Sequence, residues 1–132
     1  MVVADTSVWI PYFNQPDCQE KAILDVLIQH EGLALVGIVV AELLQGCRSA
    51  KEAATLVETL SALPFIEMTF SAWRRAGEIS ASLRRRGITL PLSDLIIAGL
   101  ALHQECAVFT LDPHFRQIPG LRLYRPSKSL RG

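Results

Sequence analysis

Hydrophobic and polar positions follow two periods along this chain. Unbroken apolar runs at Val2-Val3-Ala4, Leu33 to Val36 and Ala107 to Leu111 predict buried strands, and Phe65 to Met68 and Leu121 to Tyr124 predict two shorter ones. Between the runs, apolar residues return every three or four positions. Cys18 to His30 carries Ala22, Ile23, Val26 and Leu27 on one face, and Lys51 to Leu63 carries Ala54, Leu56, Val57 and Leu60. Ile38 to Cys47, Ser71 to Arg86 and Ser93 to Gln104 are further predicted helices, and the last is apolar nearly all round, which predicts burial. Asp5-Thr6-Ser7 offers three N-cap residue types after the first strand. Continuous rather than alternating strands, joined by helices long enough for crossovers, predict an α/β fold with a mostly parallel sheet, helices on both faces and right-handed connections. Ligands of such sheets bind beyond the carboxyl ends of the strands.

At 132 residues, half of them apolar, the chain fits one domain, residues 1–132, around a single core. Three cysteines, Cys18, Cys47 and Cys106, are odd in number and far apart, with no spacing that suggests zinc or a disulfide framework. The N-terminus lacks a basic segment followed by an apolar stretch, and the longest uncharged apolar run, Leu33 to Ala41, is too short to span a bilayer. A soluble cytoplasmic protein without a membrane segment is expected. The net charge of zero hides a segregation: residues 1–66 hold eight acids and three bases, residues 67–132 five acids and ten bases. An acidic pocket beside a basic surface is compatible with a cation and a polyanion at one site. Arg84-Arg85-Arg86 is the densest basic run, placed where helix-dipole capping and phosphate contact both account for it.

Four acids stand where the chain leaves strands or interrupts apolar runs: Asp5, Glu42, Asp94 and Asp112. Asp5 and Asp112 follow predicted strands and so fall at the carboxyl edge of the sheet. Asp94 opens the helix that runs back to the strand delivering Asp112. Taken singly, the three aspartates are explained by helix capping. Glu42 is not, because it interrupts Ile38-Val39-Val40-Ala41 and Leu43-Leu44, where a carboxylate must be solvated in a cleft, paired or bound to a cation. Thr6, Ser7, Ser93 and Thr110 place hydroxyls beside these acids, either as caps or to orient the carboxylates.

Asp5-Thr6-Ser7, Ala41-Glu42-Leu43-Leu44-Gln45-Gly46, Ser93-Asp94-Leu95-Ile96-Ile97-Ala98 and Thr110-Leu111-Asp112-Pro113-His114-Phe115 resemble, in order, the successive motifs of PIN-domain ribonucleases. Length and motif order are most similar to the VapC-type toxins of toxin-antitoxin pairs. The resemblance spans nearly the whole chain. It implies a three-layer α/β/α PIN-like fold in which Asp5, Glu42, Asp94 and Asp112 gather Mg2+ or Mn2+ and catalyse, supported by Thr6, Ser93 and Thr110. Some members carry a further acid two residues beyond the position of Asp112; here His114 stands in that place. Sequence alone makes His114 a surface or packing residue rather than a catalytic one.

Clustered carboxylates repel, and oxygen-only ligands suit a hard cation that keeps several waters, which fits Mg2+ or Mn2+ and not zinc. The resemblance implies endonucleolytic cleavage of RNA, and the expected chemistry is attack on the phosphodiester by a metal-activated water, with Asp94 or Asp112 assisting its deprotonation. Arg84, Arg85, Arg86 and Arg116 are the expected phosphate contacts. The resemblance also implies a homodimer silenced by a cognate VapB-like antitoxin in an apolar groove, for which Trp9, Tyr12, Phe13 and Trp73 are candidate linings. The alternatives are a non-enzymatic PIN-like module that binds RNA or protein, a receiver domain and a dehalogenase-like phosphatase. A receiver needs an aspartate after a middle strand and a lysine after the last, where Gly37 and Arg125 stand, and the phosphatase needs an aspartate where Ser7 stands.

Overall fold

The computed structural model describes residues 1–126. Strand β1 (Val2–Ala4) leads into α1 (Thr6–Asn14) and α2 (Gln19–Gln29), then β2 (Leu33–Val36), α3 (Gly37–Gln45), α4 (Ala50–Ser61) and the short β3 (Phe65–Ile66). Two long helices, α5 (Phe70–Arg85) and α6 (Leu92–His103), precede β4 (Ala107–Phe109) and a 3-10 turn at Pro113–Gln117. The strands form one sheet in the order β3-β2-β1-β4, and every pairing is parallel. Right-handed crossovers from β1 to β2 to β3 carry α1 to α4 over one face. The return from β3 to β4 runs the other way across the sheet and carries α5 and α6 over the opposite face, which completes the α/β/α layers.

All residues of β1 and β2 are buried, as strands covered on both faces should be. Helix α6 is buried without interruption from Asp94 to Ala101. Leu95, Ile97 and Leu100 are each about 1% exposed, and burying each stabilises the fold by roughly 1.5–3 kcal/mol. The helix lies against α5 at very short range: a Cβ on Gly99 would fall 2.8 Å from the Ala76 nitrogen. The segment joining α5 to α6 is too short for parallel packing of helices this long, so the pair is antiparallel. The basic end of α5 therefore stands at the same end of the pair as Asp94.

Several elements differ from the periodicity. The amphipathic reading of α4 put Ala54 and Val57 inside, yet both are exposed and Leu56 and Leu60 alone carry the buried face. Ala22 of α2 is likewise exposed, because only one narrow stripe of each helix meets the sheet. Strand β4 stops at Phe109 rather than Leu111, and the amides just beyond turn to side chains: Leu111 N–H donates to Ser7 Oγ (2.9 Å) and Asp112 N–H to Thr110 Oγ1 (2.9 Å). The stretch Leu121 to Tyr124 does lie parallel to β4, but as a single bridge between Leu123 and Val108, held by Val108 N–H to Arg122 O and Tyr124 N–H to Val108 O. Trp9 is fully buried and stacks on Phe13, so it belongs to the core and lines no open groove. Tyr12 and Phe13 are half-buried beside it, and Trp73 is 52% exposed on α5. The three cysteines are free, and no helix among the described residues is long and apolar enough to cross a membrane.

Candidate active site

The chain goes left from β1 to β2 and β3, then crosses to β4 on the other side of β1. This is the switch point at which the crevice of an open parallel sheet forms. Asp5 leaves β1 there, and Thr110 and Asp112 leave β4 beside it; Asp5 N–H donates to Phe109 O (3.1 Å), tying the two strand ends together.

Asp5 sits at the N-cap of α1 yet makes no side-chain cap bond; the amide of Val8 goes to its backbone oxygen instead. Its carboxylate is free for another task. Oδ1 accepts from Ser7 Oγ at 2.6 Å, and the residue is 4% exposed. Burial pushes its pKa up to about 6 against the opposing hydroxyls of Ser7 and Thr110, and the charges of Asp94 and Asp112 add to the rise. Asp94 caps nothing either, because Pro91 holds the N-cap position of α6. It lies on the first turn, pointed at His114 (Oδ2 to Nδ1, 3.1 Å). Burial again raises its pKa, opposed chiefly by that hydrogen bond, while Asp112 and Glu42 repel its charge. Of the three aspartates only Asp112 caps, accepting from the His114 amide at 2.9 Å.

Glu42 projects from α3, half-buried, and accepts from Thr6 Oγ1 at 2.8 Å. Ala41 beside it is exposed, so Glu42 lies at the rim of the core rather than inside an apolar run. The hydroxyls thus divide their work: Thr6 holds Glu42, Ser7 holds Asp5, and Thr110 sits 3.4 Å from Ser7 Oγ while fixing the Asp112 amide. Ser93 is half-buried on the first turn of α6.

Among the described residues, the ligand atoms that lie within 4.8 Å of one another belong to Asp94, Asp112 and His114. Asp5 and Glu42 adjoin this group and are coupled to it by charge, Asp5 to Asp94 and Asp112, Glu42 to Asp94. Two carboxyls that resist ionisation, together with oxygen donors from separate segments, are a donor set that fits a hard divalent cation. His114 was set aside by the sequence reading, but its Nδ1 also stands 3.2 Å from Asp112 Oδ1. Its place two residues after Asp112 was the only signal for it.

The basic residues fall in two places. Arg84, Arg85 and Arg86 are exposed at the end of α5, and Arg116 is exposed in the 3-10 turn. Arg116 shares a hollow of about 590 Å3 with Thr110, Asp112, Tyr124 and Arg125. Arg125, just beyond the stretch Leu121 to Tyr124, belongs to no motif, and nothing in the sequence signals it as a phosphate contact. A second groove, of about 460 Å3, lies between Phe13 and Leu56 and contains none of the four acids.

The sequence family that matches this chain is the PIN domain, over residues 2–121. The chain belongs to that family. As a PIN domain it is similar to Ribonuclease VapC2 of Rickettsia felis, 27% identical over 124 residues that cover 90% of this chain and 92% of that protein. It is also 26% identical to Ribonuclease VapC11 of Mycobacterium tuberculosis over 119 residues, 87% of this chain and 89% of the relative. The fold is similar to that seen in the crystal structure of VapBC2 from Rickettsia felis bound to a DNA fragment from their promoter. There the TM-score is 0.82 at 25% identity, covering 94% of this chain and 98% of the other.

Proposed function

We propose that this PIN domain is a metal-dependent endoribonuclease, the toxin of a toxin-antitoxin pair acting in the cytoplasm. Asp5, Glu42, Asp94 and Asp112 are its catalytic and metal-holding carboxylates, and Mg2+ or Mn2+ is the cofactor. The observation that carries this reading is the approach of Asp94 and Asp112 to within 4.8 Å of each other at the switch point, beside a buried Asp5 on which both charges act, with the pKa of Asp5 and of Asp94 raised. The ribonuclease relatives support the same reaction class. A divalent cation bound there supplies a lowered water pKa and offsets charge on the phosphate.

The chain's own groups do the rest. Ser7 and Thr6 orient Asp5 and Glu42, and Thr110 holds the turn that bears Asp112, while Ser93 is the supporting hydroxyl proposed beside Asp94. Asp94 or Asp112 accepts the proton of the attacking water as its oxygen bonds to phosphorus, and the P–O bond to the leaving nucleotide breaks with the leaving oxygen taking a proton from solvent. RNA phosphates are held by Arg116 and Arg125 in the hollow beside Asp112 and by Arg84, Arg85 and Arg86 at the neighbouring helix end. A VapB-like antitoxin is the proposed partner, since similar folds occur in VapBC assemblies, and the proposed state of the toxin is a homodimer.

Cleavage of a labelled RNA with Mg2+ or Mn2+, and with chelator, tests the activity. Product is expected only with the ion, and unchanged cleavage in chelator contradicts the reading. Neutralising Arg84, Arg85 and Arg86 to Gln is expected to weaken RNA binding roughly 10-fold at low salt and to flatten the salt dependence by about two to three units of slope. A filter-binding series over salt concentration measures both. An unchanged slope assigns the run to solvent.

A further inference from the structure

We propose that His114 is itself a ligand of the catalytic cation, through Nδ1, and that it biases the site toward Mn2+ over Mg2+. This rests on the metal-dependent reading above and adds a donor that the four-carboxylate set does not contain. The ring is held in place by its own backbone. Pro113 constrains the turn, the His114 amide donates to Asp112 Oδ1 (2.9 Å), and Phe115, 1% exposed, anchors the next residue in the core. From that footing Nδ1 faces two oxygens of different origin, Asp94 Oδ2 at 3.1 Å and Asp112 Oδ1 at 3.2 Å.

A point between two carboxylates is where a cation binds, and a single ring nitrogen now faces it. In the neutral tautomer with its proton on Nε2, that nitrogen presents a lone pair. Imidazole is a softer donor than carboxylate. Mg2+ prefers oxygen, dehydrates reluctantly and gains little from it, whereas a first-row transition ion accepts a mixed oxygen and nitrogen set. The rival role is that of a counterion: a protonated ring parked between Asp94 and Asp112, displaced whenever the metal binds.

Calorimetric titrations of Mn2+ and Mg2+ into the full chain, its His114→Asp and its His114→Ala variants separate these roles, with pulsed EPR on the Mn2+ form. His114→Asp restores an all-oxygen set and controls for folding. The proposal predicts a nitrogen coupling on bound Mn2+ that disappears in both variants. It also predicts a ratio of Mn2+ to Mg2+ affinity at least 10-fold lower in His114→Asp than in the parent. Bound Mn2+ without nitrogen coupling, or an unchanged ratio, overturns it while leaving the nuclease reading intact. Tighter binding of both ions in His114→Ala identifies the ring as a counterion and overturns it likewise. Failure of the parent chain to bind either ion defeats the proposal and the metal-dependent reading together.

Discussion

Asp5→Asn is expected to abolish RNA cleavage, by at least about 100-fold, and at the same time to raise the melting temperature of the metal-free protein at pH 8. The two effects share one cause. Asp5 is buried, and its carboxyl keeps its proton up to about pH 6 in the fold but only to about 3.8 when unfolded. A raised pKa of this kind stabilises the fold fully below pH 4, and the contribution is lost as pH rises through 6. At pH 8 the ionised group leaves the native state about 3 kcal/mol poorer than a neutral one would. Asparagine is neutral, keeps an oxygen to accept from Ser7 Oγ, and can donate toward the neighbouring carboxylates. A gain of roughly 10 °C at pH 8 and almost none at pH 4 is expected. Added Mn2+ should reverse the order, stabilising the parent by linkage and the variant far less. Under the proposed reading the site stores instability that a bound cation would relieve, and loss of a ligand should cost more activity than loss of an outer-shell partner, which alone is worth 10- to 100-fold. Thermal melts at the two pH values, with and without the ion, measure each part. A variant less stable than the parent at pH 8 contradicts the charge argument.

Gly99→Ala should give the other large effect, with the opposite sign to helix propensity. In an open helix, alanine is favoured over glycine by about 1 kcal/mol. At Gly99 the new Cβ would meet three atoms of Ala76 at 2.8–2.9 Å, two of them backbone, which cannot rotate away. Overpacking of this kind costs roughly 1–3 kcal/mol, so the contact outweighs propensity. Gly77, on α5, is the internal comparison: nothing lies within 4 Å of its would-be Cβ. Gly77→Ala should stabilise by up to about 1 kcal/mol and leave cleavage unchanged. Gly99→Ala should destabilise by up to about 2 kcal/mol after the propensity gain is subtracted, and reduce cleavage several-fold, because α6 carries Asp94 and must move to make room. Urea melts and initial rates on the two variants check the contrast. Equal stability in both would mean the helices separate freely.

How much of this was legible beforehand follows from the range of each interaction. β1 and β2 were bounded to the residue because the charge of Asp5 ends the first apolar run and Gly32 and Gly37 bracket the second. The burial of α6 was visible in its own composition. The placement of Asp5 and Asp112 at one edge followed from strand order alone, and the four acids are coupled by charge in the structure. What could not be read were contacts made across the fold. Ser7 turning from a cap into the partner of Asp5 and of the Leu111 amide depends on β1 lying next to β4. The His114 ring meets Asp94 across 20 residues of sequence, and Arg125 joins Asp112 only because the chain after Gly120 returns along β4. Val57 and Ala54 were misplaced for a related reason, since a helix period shows that a face exists but not how wide a stripe the sheet will cover.

The central claim is that side chains from four separate segments serve one divalent cation. Calorimetric titration of Mn2+ into the parent chain and into Asp5→Asn, Glu42→Gln, Asp94→Asn and Asp112→Asn tests it most directly. The account predicts that each single change weakens the same binding event, and that cleavage of RNA falls in step with it. An isotherm that survives all four substitutions unaltered would contradict the account.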